Sequence, residues 1–124
     1  MEIDFKALYN TAYSLANKQQ LNKSTSIGRV GVAILSSSNT IYTGICLETI
    51  CALGFCAETA TISSMIKHNE TKIVKLVAVY DTGEIVSPCG RCRELMYQLN
   101  HENLQCEILL SDKICTLKDL LPEL

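Results

Sequence analysis

Cys56-Ala57-Glu58 and, further along the chain, Pro88-Cys89-Gly90-Arg91-Cys92 supply three thiols and a carboxylate. Three protein ligands leave a zinc ion with a free fourth position, and a glutamate two residues past the first ligand can move protons there. That is the composition of a hydrolytic zinc site. In the second motif the two sulfurs fall about one helical turn apart and can chelate one ion, while Gly90 lets the backbone curl around it.

Two other chemistries use the same residue types. A thiol redox protein built on Cys89 and Cys92 would need no metal and would tolerate Glu58→Gln. A structural zinc module would need a fourth protein ligand, for which Cys46 or Cys51 is the nearby candidate, and would bind the ion without turnover.

The elements around the motifs follow from periodicity. Asp4 is a helix N-cap ahead of Phe5, Leu8, Ala12 and Leu15 at helical spacing, and this first helix should end near Asn17 to Leu21. Val30 to Leu35 and Thr40 to Ile45 read as strands joined by a turn over Ser36 to Asn39, a hairpin. Ala57 to Lys67 is predicted helical, with an apolar face through Ala60, Ile62 and Ile66, and Ile73 to Tyr80 is a buried strand. Glu94 to Asn100 is another helix, Glu107 to Leu110 a further strand, and Leu117 to Leu121 a short helix closed by Pro122. This order predicts an α/β protein, a layered α/β/α domain with a mixed sheet. Cys56 and the Cys89/Cys92 pair then lie at two helix starts, where partial positive charge favours thiolates, so the metal would join two helix ends.

Composition restricts the alternatives. A chain of 124 residues reads as one domain over 1–124, and 48% hydrophobic with 19% charged content can bury a core without disulfides. The net charge of −2 offers no basic field for a polyanion, so nucleic acid is not the expected partner. The N-terminal Met1 to Lys6 lacks a basic stretch followed by an apolar run, and no membrane-length apolar segment occurs, so no membrane partner is expected. Seven cysteines, an odd count, suit a reducing, cytoplasmic compartment better than a disulfide framework.

At these motifs the chain resembles the cytidine deaminase-like zinc deaminases, whose all-cysteine members pair Cys-x-Glu with Pro-Cys-x-x-Cys. Ser87-Pro88-Cys89-Gly90-Arg91-Cys92-Arg93, Ile41-Tyr42-Thr43-Gly44 and Leu120-Leu121-Pro122 look like the blasticidin S deaminase branch, and the likeness runs from Val30 onward. The resemblance implies the cytidine deaminase-like three-layer fold and one Zn²⁺ per chain on Cys56, Cys89 and Cys92. It also implies hydrolysis of a cytosine nucleoside or nucleoside-like compound, cytidine, deoxycytidine or blasticidin S, to the uracil form with release of ammonia. Glu58 would take the proton from water, deliver it to the ring nitrogen and help protonate the departing ammonia.

By the same analogy the backbone N–H groups near Ala57 would hold the pyrimidine carbonyl, and the Ser87 carbonyl would accept from the amino group. Glu48 falls where cytidine deaminases carry an Asn-x-Glu segment that grips ribose hydroxyls, with Cys46 at the asparagine position. Three thiolates leave the zinc site net negative, which weakens the Lewis acid unless donors offset it. Many relatives place an arginine after the glutamate; here Thr59 stands there, and Arg91 is the candidate for bonding the sulfurs, with Arg93 second.

Ile27-Gly28-Arg29 occupies the place of an aromatic residue before the first strand, and the chain stops at Leu124 without a C-terminal aromatic segment, so a differently roofed pocket is expected. A homo-oligomer, tetrameric by the resemblance, could supply part of that wall. Cys46, Cys51, Cys106 and Cys115 read otherwise as packing residues, and His68 and His101 as surface ones.

Overall fold

The computed structural model describes Ile3 to Glu123; Met1, Glu2 and Leu124, on which part of the reading of the two termini rests, lie outside the described residues. Asp4 caps helix α1 (Phe5–Leu15) by accepting from the Ala7 N–H at 2.9 Å. The helix stops at Leu15, before the expected Asn17 to Leu21, because Ala16 is extended and the chain turns into strand β1 (Gln19–Gln20), which pairs with Ser26 and Ile27. Strands β2 (Thr25–Ser36) and β3 (Ile41–Thr49) form the expected hairpin, longer at its open end than the apolar runs alone suggested.

A 3₁₀ turn (Ile50–Ala52) leads to helix α2 (Ala57–Lys67), followed by strands β4 (Ile73–Tyr80) and β5 (Ile85–Val86). Helix α3 (Gly90–Leu99) begins at its Cys89 N-cap, ahead of the Glu94 expected from helix formers alone. After a 3₁₀ segment (His101–Gln105) come β6 (Glu107–Leu109), β7 (Ile114–Thr116) and a last 3₁₀ turn (Lys118–Leu120) where a short helix was expected.

The sheet runs β1-β2-β4-β6-β7, with β3 also on β2 and β5 also on β4. The pairing of β4 with β6 is parallel and the others are antiparallel, which makes the sheet mixed. Alternation along β2 and β4 divides the core between two faces. Ala33, Leu35, Val77 and Val79 pack with Leu8 and Ala12 of α1. Val32, Ile34, Leu76 and Ala78 pack with Ile62 and Met65 of α2 and Met96 of α3. The result is the three-layer α/β/α fold expected from the element order.

The buried face of α2 is turned from the one expected: Ile62 is buried as expected, but Ala60 is only half-buried. Ala57, Glu58, Thr61, Ile62 and Met65 are buried, while Ile66 is 50% exposed. The helix is turned so that its first residues face inward, which puts a carboxylate in the interior.

Candidate active site

The first turn of α2 can sit directly on β3 because residue 44 is glycine: a Cβ there would meet Thr61 Oγ1 at 2.5 Å and the Thr61 backbone N at 2.8 Å. That close approach sinks Glu58 until it is only 4% exposed. Cys56 is the N-cap of α2 and Cys89 the N-cap of α3, and neither side chain makes a capping hydrogen bond, so both sulfurs are left for other partners. Cys92 follows one turn into α3 and is fully buried.

The three sulfurs lie within 4.8 Å of one another, and those of Cys56 and Cys89 are 3.5 Å apart. Zn–S bonds of about 2.3 Å in a tetrahedron put sulfurs roughly 3.8 Å apart, so the donor set and its spacing fit a zinc ion. Neither Cys46 nor Cys51 joins this cluster, so among the described residues no fourth thiol closes it. Cys46 is buried with its sulfur 3.9 Å from Glu48 Oε1, and Cys51 is exposed.

The electrostatics of the three thiols differ from the helix-dipole expectation. Burial pushes the Cys56 thiol up, and pushes the Cys92 thiol far up with the Glu58 charge adding to it. Burial also acts on Cys89, but hydrogen bonds from the Cys92 backbone and from the Cys56 and Cys92 thiols outweigh it and lower this one. Removal from water therefore dominates the helix-start effect at two of the three sulfurs. Glu58 is raised as well, by burial, against a smaller opposing pull from its own backbone N–H.

A cavity of about 400 Å³ opens over the cluster, lined among others by Cys56, Ala57, Glu58, Ser87, Cys89 and Arg91. Cys46 and Glu48 line it too, and Cys92 adjoins it as one of the three clustered sulfurs, whereas Cys51, Thr59 and Arg93 are not part of the lining. Arg91 is exposed at this wall. The hydroxyl facing the Cys92 sulfur belongs to Thr59, at 3.8 Å. Arg93 donates to the Pro88 carbonyl at 2.8 Å and to Ser87 Oγ at 3.0 Å, holding the segment that enters α3.

Arg29, Tyr80 and Phe55 are among the cavity residues that the motifs do not report. Arg29, noted only as standing near a missing aromatic, donates from Nε to Glu48 Oε1 at 2.9 Å and lies over the Tyr80 ring at 5.4 Å. Tyr80 and Phe55 supply aromatic wall. The signal for Thr59 was present, since it sits three residues past the Cys56 cap in the same first turn; Tyr80 and Phe55 carry no motif.

Comparison with known proteins places this geometry. Residues 4–108 match the family described as the cytidine and deoxycytidylate deaminase zinc-binding region. A cytidine deaminase of Mycobacterium tuberculosis is 30% identical over 95 residues, which are 76% of this chain and 70% of the relative. The crystal structure of cytidine deaminase from Mycobacterium leprae superposes with a TM-score of 0.82 at 25% identity, covering 98% of this chain and 100% of that one. The cytidine deaminase of Burkholderia pseudomallei, at 21% identity, shares the fold with a TM-score of 0.78, covering 98% of each chain.

Proposed function

The chain belongs to the cytidine and deoxycytidylate deaminase family of zinc enzymes, and from that premise we propose that it hydrolyses the amino group of a cytosine nucleoside, cytidine or deoxycytidine, giving the uracil form and ammonia. The observation that carries this reading is a buried carboxylate, Glu58, at the wall of a cavity that also opens on Cys56 and Cys89 of a three-thiol cluster.

In this proposal Cys56, Cys89 and Cys92 would hold the single zinc, which when bound would supply a water acidic enough to lose its proton near neutral pH. Glu58 accepts that proton and returns it to the ring nitrogen. Once the oxygen has added to the ring carbon, Glu58 takes the remaining proton from that hydroxyl and passes it to the amino nitrogen; the carbon–nitrogen bond breaks, ammonia leaves and the oxygen stays as the uracil carbonyl. Backbone N–H groups at the Ala57 helix start face the pyrimidine carbonyl, and the Ser87 carbonyl accepts from the amino group. The anchoring of Ser87 and Pro88 by Arg93 supports that second role, because a held segment presents its carbonyl in a fixed direction. Arg91 and Thr59 offset the charge of the three thiolates, and Glu48 beside Cys46 grips the sugar.

The proposal extends to the whole chain as one domain over 1–124 and to assembly as a homotetramer. Ile50, Leu53 and Phe55, exposed at 62%, 80% and 40% on the segment beside the cavity, support a partner surface there. Seven free cysteines agree with a cytoplasmic protein. The relatives reported above are named cytidine deaminases, which ranks the nucleosides ahead of blasticidin S.

The test is the ultraviolet change on incubating zinc-loaded protein with cytidine, deoxycytidine and blasticidin S in parallel, with Glu58→Gln as control. Turnover of a nucleoside, reduced about 10²- to 10⁴-fold in the variant while zinc stays bound, is expected. No turnover of any of the three with one zinc per chain would overturn the proposal.

A further inference from the structure

We propose that Arg29 is a specificity-determining residue: together with Glu48 it forms a donor and acceptor pair that selects substrates carrying a 2′- or 3′-hydroxyl on the sugar. This inference rests on the nucleoside reading above.

The backbone has been bent to place this side chain. Between the Ile27–Leu47 and Gly31–Ile45 pairs of β2 and β3, residues Gly28, Arg29 and Val30 face Cys46 alone, a bulge of the kind that re-aims side chains beside active sites. Gly28 has φ +82, and a Cβ there would come within 2.3 Å of the Asn17 carbonyl oxygen, so the turn needs glycine. The Arg29 carbonyl is then pinned by the Asp81 N–H at 2.9 Å.

The side chain itself is held by two groups on different strands. Glu48 on β3 takes its Nε–H at 2.9 Å, and Tyr80 on β4 lies under the guanidinium at 5.4 Å. All three residues line the cavity. Arginine has N–H donors in excess of the one used here, and a carboxylate is acceptor-only. A sugar hydroxyl both donates and accepts, so it is satisfied by Glu48 on one side and a terminal Arg29 nitrogen on the other. Cys46, a weak donor, cannot fill that second half. Because Glu48 already neutralises Arg29, the pair favours a neutral hydroxyl over a phosphate.

The experiment compares wild type with Arg29→Ala and Arg29→Lys, both zinc-loaded, on cytidine, 2′,3′-dideoxycytidine and cytidine 5′-monophosphate. For Arg29→Ala we expect KM for cytidine to rise about tenfold or more, the order that one charge-assisted hydrogen bond supplies. We expect kcat within about twofold and unchanged kinetics on the dideoxynucleoside, as uniform binding loss implies. Arg29→Lys should recover part of the loss. Retained zinc and dideoxycytidine turnover report a folded variant. An equal effect on all substrates, no effect on any, or a selective loss of the monophosphate would each overturn the inference. Wild type inactive on all three would overturn the underlying nucleoside reading with it, whereas the preceding outcomes leave that reading standing.

Discussion

The sulfurs of Cys56 and Cys89 stand 3.5 Å apart although the two residues are 33 positions apart in the chain, because each caps a different helix and both helices lie on the same face of the sheet. Burial pushes the Cys56 and Cys92 thiols up and so disfavours the thiolates that bind zinc, which makes proton release part of zinc binding. Titrating metal-free protein with zinc at pH 7 in weak buffer should release protons, and affinity should fall steadily as pH is lowered. Chelation should lower the melting temperature. Zinc binding that is indifferent to pH would show that the thiols are not the ligands.

Thr59 should tune that same site without touching substrate. Its hydroxyl is 3.8 Å from the Cys92 sulfur, and a hydrogen bond there withdraws charge from a thiolate that has no exposure to water. Thr59→Val keeps the shape and removes the donor. Zinc affinity measured by competition with a chelator should weaken about 10- to 100-fold. An unchanged affinity would assign the compensation to Arg91 alone.

The elements that carry the motifs were legible where a local signal was strong. Ala57 to Lys67 and Ile73 to Tyr80 keep their expected bounds because a run of helix formers and a run of β-branched residues each end at polar turns. Strands of two or three residues, such as Gln19–Gln20, Ile85–Val86 and Ile114–Thr116, have no period to read and exist through their pairing with longer neighbours. Ile66 was misplaced for a related reason: the face of α2 is decided by the contact of its first turn with Gly44, which no residue within the helix reports. Arg29 was obscure because the bulge breaks alternation at that point, so its direction follows from strand register and not from its neighbours.

A pH dependence of stability should arise away from the site. The Ser38 and Tyr42 hydroxyls hydrogen-bond to Glu70 and hold its carboxyl below the usual range. A depressed pKa stabilises the fold above the unfolded value, about 4.3, and that contribution disappears as pH falls through the folded value. Tyr42 is raised by the same bond to Glu70, so its share is present below about pH 10 and lost as pH rises through the folded value. Denaturation midpoints of Glu70→Gln followed from pH 7 to pH 3 should decline less than those of wild type. Parallel curves would remove Glu70 from the acid response.

Asn103 ties the motif-bearing helix to the sheet through three hydrogen bonds in a fully buried position. Its Oδ1 accepts from the Ile73 N–H at 2.8 Å, and its Nδ2 donates to the Met96 carbonyl at 2.9 Å and the Thr71 carbonyl at 3.0 Å. These contacts join the end of α3 to the start of β4, so the 3₁₀ segment acts as a clasp between two layers. Asn103→Ala leaves buried partners without hydrogen bonds, a loss of about 1–3 kcal/mol for the unmet groups with further loss from the cavity. The denaturant midpoint should drop with the slope of the transition unchanged. Asn103→Asp keeps the bond to Ile73 but turns a donor toward Met96 and Thr71 into an acceptor, so it should be no more stable than the alanine variant. An aspartate variant as stable as wild type would show that the two carbonyl contacts contribute nothing.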